Sequence, residues 1–370
     1  MHLSRRTRLL AAMAALLLAV TACGGTETTE EAAATTADDD TATDDGAGEG
    51  DAAQTVTEDD PLTVYLNPFG PVLTDAFTEE TGIPAEIADV SGGEVLARIA
   101  AEGDNPQWDV LVLDGAASVE GLDQQGLLYT GWEPDGLDNL NELGRANLPD
   151  SLGYFPVGVH AAAIIAYNVN EVEDPPTDFS ALADPAYRDR IGFADPAIAA
   201  PAYPFVSYFF DELGMEDGRG FFEDVFDNGL KVYEKNGPVG QALISGDIHI
   251  AALQEQNAVN LANDGEPVGF LYPQDGAPAS VRVVAISAGT DKLEAAQRFV
   301  EFMLDPETQT YLMNEPESGD DGVYTATLDG VDAPEYPGRP AEVEFAFADL
   351  AFAAENEAEI KQFFADQAVR

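Results

Sequence analysis

Leu62-Thr-Val-Tyr-Leu66 and the stretch from there to Trp108-Asp-Val-Leu-Val-Leu113 decide the fold. The first run is β-branched and aromatic and stops at Asn67-Pro68 and Gly70, which marks a buried strand and its turn. Val72, Leu73, Ala76 and Phe77 then recur at helical spacing, and Gly82 closes that helix. Residues 84–90 read as a second strand. Ser91-Gly92-Gly93-Glu94 opens a second helix, with Ser at the cap, Glu three positions later, and Val95, Leu96 and Ile99 on one face. The run ending at Leu113 is a third strand, continuous and apolar. Strand, helix, strand, helix, strand predicts a parallel sheet with helices on both faces.

Downstream the same logic recurs. Residues 116–126 form the next helix. Strands are expected at 161–167, 191–194, 248–253 and 281–287. Helices are expected at 203–213, 218–229, 237–245, 293–304 and 306–313, and a last one near 353–367. Chain crossings near 157–167 and 273–284 divide this α/β chain into two lobes with a cleft between them. Lobe 1 takes 61–160, lobe 2 takes 161–277, and 278–370 returns to lobe 1 and adds C-terminal helices.

Upstream lies a different kind of sequence. Arg5, Arg6 and Arg8 precede the apolar run 9–20, which is too short for a bilayer core that needs about 20 residues. Residues 1–22 therefore read as a signal peptide. Cys23 is the only cysteine of the chain, so no internal disulfide can use it. Val20-Thr21-Ala22-Cys23 resembles a bacterial lipobox, which implies lipidation of Cys23 and a membrane anchor on the outer face of the cell membrane or in the periplasm. Residues 24–60 hold Gly, Ala, Thr, Asp and Glu without Lys or Arg, the composition of a self-repelling acidic tether.

The chain has 69 acidic residues against 16 Lys and Arg, a formal net charge of −53. That balance excludes nucleic acid as a partner, since phosphate binding needs a basic face. It fits a halophilic setting, where salt screens the repulsion.

Four passages resemble the extracellular solute-binding proteins of ABC importers, in the branch with ferric-iron, phosphonate, thiamine and polyamine binders. They are Leu62 to Tyr65 with Phe77-Thr-Glu-Glu-Thr-Gly82; Ser91 to Ile99 with Asn105-Pro-Gln-Trp-Asp-Val110; Ile165-Ala-Tyr-Asn168 with Leu182-Ala-Asp-Pro-Ala-Tyr187 and Asp195-Pro196; and Ser245-Gly-Asp247 with Ala295-Ala-Gln-Arg-Phe-Val-Glu-Phe302. The resemblance implies a type II periplasmic-binding-protein-like fold, a small-molecule solute, importer permease subunits as partners, a monomer, no cofactor and no enzymatic activity.

In open α/β sheets ligands bind outside the carboxyl ends of the strands. The expected contacts are therefore Asn67, Phe69, Ser91, Gly92, Gly93, Asp114, Asp195, Tyr203, Glu255, Gln256 and Asn257. The glycines let backbone approach a ligand, and a helix start offers free N–H donors. Iron binders of this branch use a His, an acid and a Tyr pair. Here the positions hold Phe69 or its neighbours, Asp114, and Gln256-Asn257, so an iron(III) member would need non-standard ligands, and no metal site is expected. Residues 197–202 carry no hydroxyl for a phosphate. Amides, aromatic faces and an acid suit a polar or cationic organic solute. His160 and His249 read as core or surface residues. A secreted hydrolase is the rival class. Ala285-Ile-Ser287-Ala-Gly289 approaches a nucleophile elbow but lacks its first Gly, and no metalloprotease or phosphate-loop motif is present.

Overall fold

A computed structural model describes residues 56–89, 92–103 and 105–368. The signal peptide, Cys23, the tether up to residue 55 and Ser91 lie outside these residues. No helix of the described part is long and apolar enough to cross a membrane.

Two sheets carry the fold. The first contains β1 (Leu62–Leu66), β2 (Ala85–Asp89), β3 (Val110–Asp114) and β4 (Tyr154–Ala161). The second holds β5 (Ile164–Asn168), β6 (Ile191–Ala194), β7 (Lys231–Tyr233), β8 (Ile250–Leu253) and β9 (Val268–Leu271). The chain then re-enters the first sheet with β10 (Ala277–Ile286) and β11 (Phe345–Ala346). The order in the first sheet is β11-β10-β3-β1-β2, with β4 also on β10; in the second it is β7-β6-β8-β5-β9. β1 pairs in parallel with both β2 and β3, aligning Val64 with Ile87 and with Val110. β10 runs antiparallel to β3 and β4.

The predicted βαβαβ start is present, and β3 and β10 are buried along their whole length, as runs covered on both faces must be. The strand expected at 161–167 is instead two strands in different sheets, parted at Ala162-Ala163. The second crossing spans 272–276, because β10 begins earlier than its apolar run suggests. Its first residues, Ala277 and Pro278, already pair with β11. β7 and β9 have no counterpart among the expected strands; apart from the buried Val268 their side chains are partly buried or exposed, so their apolar signal is weak.

The C-terminal helix Leu350–Ala368 packs on the Ala116–Gln124 helix of the first lobe and on the Ala202–Leu213 helix of the second. Its Ala353, Ile360, Phe363 and Phe364 join a buried cluster with Phe193, Phe205, Phe210 and Phe222. Its Glu357 also accepts a hydrogen bond from Ser118 Oγ, at 2.7 Å, on the Ala116–Gln124 helix behind β3. The helix thus bridges both lobes, and phenylalanine area is the main reason: each buried aromatic side chain contributes a few kcal/mol.

Candidate functional site

The carboxyl ends of β1 and β3 lie side by side on one lobe, and those of β6 and β8 on the other. Asn67 closes β1 and accepts the Asp114 N–H through Oδ1 at 2.9 Å, so the two predicted residues form one corner. Phe69 comes next in the left-handed region, at φ 67, which is costly for a bulky side chain. Its N–H donates to Asp321 Oδ2 at 2.8 Å.

Arg282, in the middle of β10, organises this corner and is absent from the expected set. It is wholly buried. Its Nε donates to Asp114 Oδ1 at 2.7 Å, its Nη2 to Asp114 Oδ2 at 3.3 Å, and its Nη1 to the Asp321 carbonyl at 3.0 Å. The guanidinium lies over the Phe69 ring at 4.4 Å and beside Tyr324 at 5.1 Å. The signal in the sequence is the single charge inside Val281-Arg-Val-Val-Ala-Ile-Ser287. A lone charge on a strand buried on both faces requires a partner.

Burial alone would raise the Asp114 pKa, but Arg282 and His160 outweigh it and hold the carboxyl well below the usual range. Asp321 behaves oppositely. Burial and the repulsion of Asp114 and Asp320 push it up to about 6, against the pull of Arg282 and the Phe69 N–H. His160 is fully buried, as its apolar context implies, yet its Nε2 stands 3.4 Å from Asp114 Oδ1 and belongs to this cluster. Ser280 faces His160 across the β4–β10 pair, and its Oγ has no hydrogen-bond partner. His249 lies elsewhere, beside Arg190 and Glu171.

On the opposing lobe the helix Glu255–Asn263 begins at the end of β8. Gln256 is buried, accepts from Gln254 through Oε1, and leaves its Nε2 without a partner. Asn257 reaches across to lobe 1, where Asp320 Oδ2 accepts its Nδ2 at 2.6 Å; Asn260, a turn later, donates to Asp320 Oδ1 at 2.8 Å.

Several predicted contacts are otherwise engaged. Glu255 is fully buried and both its oxygens are taken by protein donors. Tyr203 is core: its hydroxyl donates to the Ala353 carbonyl and its ring faces Lys361. Asp195 accepts the Ala197 N–H at 2.8 Å and shapes the Asp-Pro turn. Gly92 and Gly93 meet the other lobe directly. The Gly93 N–H donates to the Ile198 carbonyl at 3.2 Å, and a Cβ on Gly92 would stand 2.3 Å from Ala200 Cβ. Backbone of the facing lobe therefore packs directly against both glycines. The Phe69 face, expected to be open to an ammonium group, is covered by Arg282. Of the expected residues, Asn67 and Asp114 share the lobe 1 corner with Arg282 and Asp321, and Asn257 reaches it through Asp320. Among the described residues no group of three or more His, Cys, Asp or Glu side chains is arranged to hold a metal ion.

A family model described as bacterial extracellular solute-binding protein matches residues 73–342. A putative 2-aminoethylphosphonate-binding periplasmic protein of Salmonella paratyphi A is 24% identical over 262 residues, 69% of this chain and 75% of the relative. The periplasmic binding protein AfuA of Actinobacillus pleuropneumoniae, solved with fructose-6-phosphate, superposes with a TM-score of 0.74 at 18% identity, covering 84% of this chain and 98% of that one. Iron-bound HitA of Pseudomonas aeruginosa gives 0.67 at 21% identity, over 83% and 99%. These likenesses agree with two lobes whose strand ends face each other across a polar cleft, and the chain belongs to the bacterial extracellular solute-binding protein family, the substrate-binding proteins that serve ABC-type importers.

Proposed function

We propose that the solute is a small polar organic molecule with a cationic group, held between the Asn67–Asp114–Asp321 corner and the Gln256–Asn257 helix start. The observation that carries this reading is the charge balance of the corner. One guanidinium, Arg282, faces two carboxylates, Asp114 and Asp321. The pair with Asp114 is bidentate and complete, so the excess negative charge falls on Asp321. An ammonium group beside it supplies the missing counter-charge. The unpartnered Gln256 amide and Ser280 hydroxyl offer hydrogen bonds to the neutral part of the same molecule, and groups of that kind fix ligand orientation in a cleft.

Closure of the lobes over the solute, about the crossings at 162–163 and 272–276, presents the loaded form to the importer. Lipidation of Cys23 on a monomeric chain would keep it at the membrane, with the acidic tether as spacer. Capture, rather than hydrolysis, is the reading favoured by the family.

The test is native purification, identification of the released solute by mass spectrometry, and calorimetric titration of that solute into wild type, Asp321→Asn and Gln256→Ala. Both variants should bind about tenfold or more weakly, the size expected for one lost buried hydrogen bond or ion pair. A released anion without any basic group, bound equally well by Asp321→Asn, would sink the cationic reading.

A further inference from the structure

The Glu255 carboxylate joins chain segments from both crossings between the sheets and from the stretch that follows Tyr324. Its Oε2 accepts the N–H of Ala161, the last residue of β4 before the first crossing, at 2.8 Å. Its Oε1 accepts the hydroxyl of Tyr272, the first residue after β9 and the start of the second crossing, at 2.5 Å. The same oxygen accepts Arg339 Nε at 2.9 Å. Arg339 lies in a third passage, the segment between Tyr324 and the C-terminal helix. That passage is tied to lobe 1 by the backbone pair of Thr325 with Val159 and by Arg339 Nη2 donating to Thr325 Oγ1 at 2.8 Å. It meets lobe 2 where Gly338 lies against the Phe270 ring. A side chain at that glycine, which has φ 84, would collide with the ring.

We infer that Glu255 is the hinge-setting residue of this protein, joining the three interlobe passages so that they turn as one unit when the cleft closes. The residue is fully buried and all its partners are protein donors, so its carboxylate is not a solute contact. It opens the helix whose next two residues, Gln256 and Asn257, belong to the proposed solute site, on which this inference rests. A solute that pulls on those two residues moves the first turn of the helix, and with it the carboxylate that holds the crossings. The position at the helix start also favours a negative charge there. A Gln of the same volume can accept at most two of the three hydrogen bonds and cannot neutralise Arg339, and its N–H₂ group is turned toward a donor.

The test measures the distance between the lobes. The full chain carrying Cys23→Ser contains no other cysteine, so dyes can be placed at Glu80→Cys on one lobe and Glu223→Cys on the other, both exposed. Single-molecule energy transfer then reports the open and closed populations without solute. Glu255→Gln is expected to raise the open-to-closed ratio about tenfold, the effect of one lost charge-assisted interaction. Asp109→Asn removes a buried carboxylate whose partners, Thr63, Thr290 and Lys292, all lie in the first lobe; it should lower the urea midpoint and leave the distances as in wild type. Should Glu255→Gln fail to fold, Arg339→Met and Tyr272→Phe each remove one tie and should shift the distribution the same way by a smaller factor. Distances unchanged in Glu255→Gln, or in both single-tie variants, would overturn the inference. So would an equal shift in Asp109→Asn.

Discussion

Asp114→Asn isolates the energetics of the cleft corner. The substitution keeps the side-chain volume and the strand, and removes the partner of a guanidinium that has no access to water. Breaking a buried pair from one side costs about 3–5 kcal/mol, because the remaining charge stays desolvated. Asp321 Oδ1, 3.7 Å from Arg282 Nη2, recovers part of that once Asp114 no longer repels it. A net loss of about 2–4 kcal/mol at pH 7 is therefore expected. The sign of the pKa shift sets the pH dependence. Asp114 has a depressed pKa in the fold, so its contribution is present above the ordinary carboxylate value of 3.8 and is lost as pH falls below it. The Asp114 share of the difference between wild type and variant should shrink below pH 4. Arg282→Met should show the same direction, beginning at a higher pH. It leaves Asp114 and Asp321 facing each other without a cation, so the variant should be less destabilised at pH 4 than at pH 7. Urea unfolding followed by tryptophan emission reads this lobe, since Trp108 packs on Tyr65 and Trp132 on Phe155 of the first sheet. A loss below 1 kcal/mol at pH 7, or one that is the same at pH 3, would refute the reasoning.

Three further outcomes are expected. Asp321 has a raised pKa, about 6, so the fold favours its neutral form and stability falls as pH rises from about 4 to 6; relative to Asp321→Asn, urea unfolding should show wild type losing roughly 1 kcal/mol over that window, discounted because the side chain is one-third exposed, and parallel pH profiles would contradict this. Gly92→Ala places a methyl 2.3 Å from Ala200 Cβ across the cleft and should hold the lobes apart, weakening solute affinity at least tenfold while the apo melting temperature stays near that of wild type; an unchanged affinity in calorimetry would show that closure does not need this contact. Cys23→Ser should move the secreted protein from the detergent phase to the aqueous phase or leave an uncleaved precursor, and unchanged partitioning would rule out the lipid anchor.

Local pattern was enough to specify the α/β class, the order of the first five elements and the end of β8. These rest on apolar periodicity and on turn residues such as Asn67-Pro68 and Gly82, which act over a few neighbouring positions. The excess of acid likewise needed only composition. Rules about strand ends were enough to nominate Asn67, Asp114 and Gln256-Asn257. What each nominated residue touches was beyond them. Glu255 and Gln256 are neighbours of similar size at one helix start, yet Glu255 is taken up by Ala161, Tyr272 and Arg339, up to 94 positions away in sequence, while the Gln256 amide is left unpaired. Gly92 could equally have met a ligand or a facing lobe, and only the approach of residues 197–200 decides between them. Arg282 illustrates the division: its presence in an apolar strand announced a buried partner, but the partner, Asp114, is 168 positions away and is set by the antiparallel register of β10 on β3. Periodicity reports which face of an element is buried. Which groups meet on that face depends on strand order and on the crossings between lobes, and those are properties of the assembled chain.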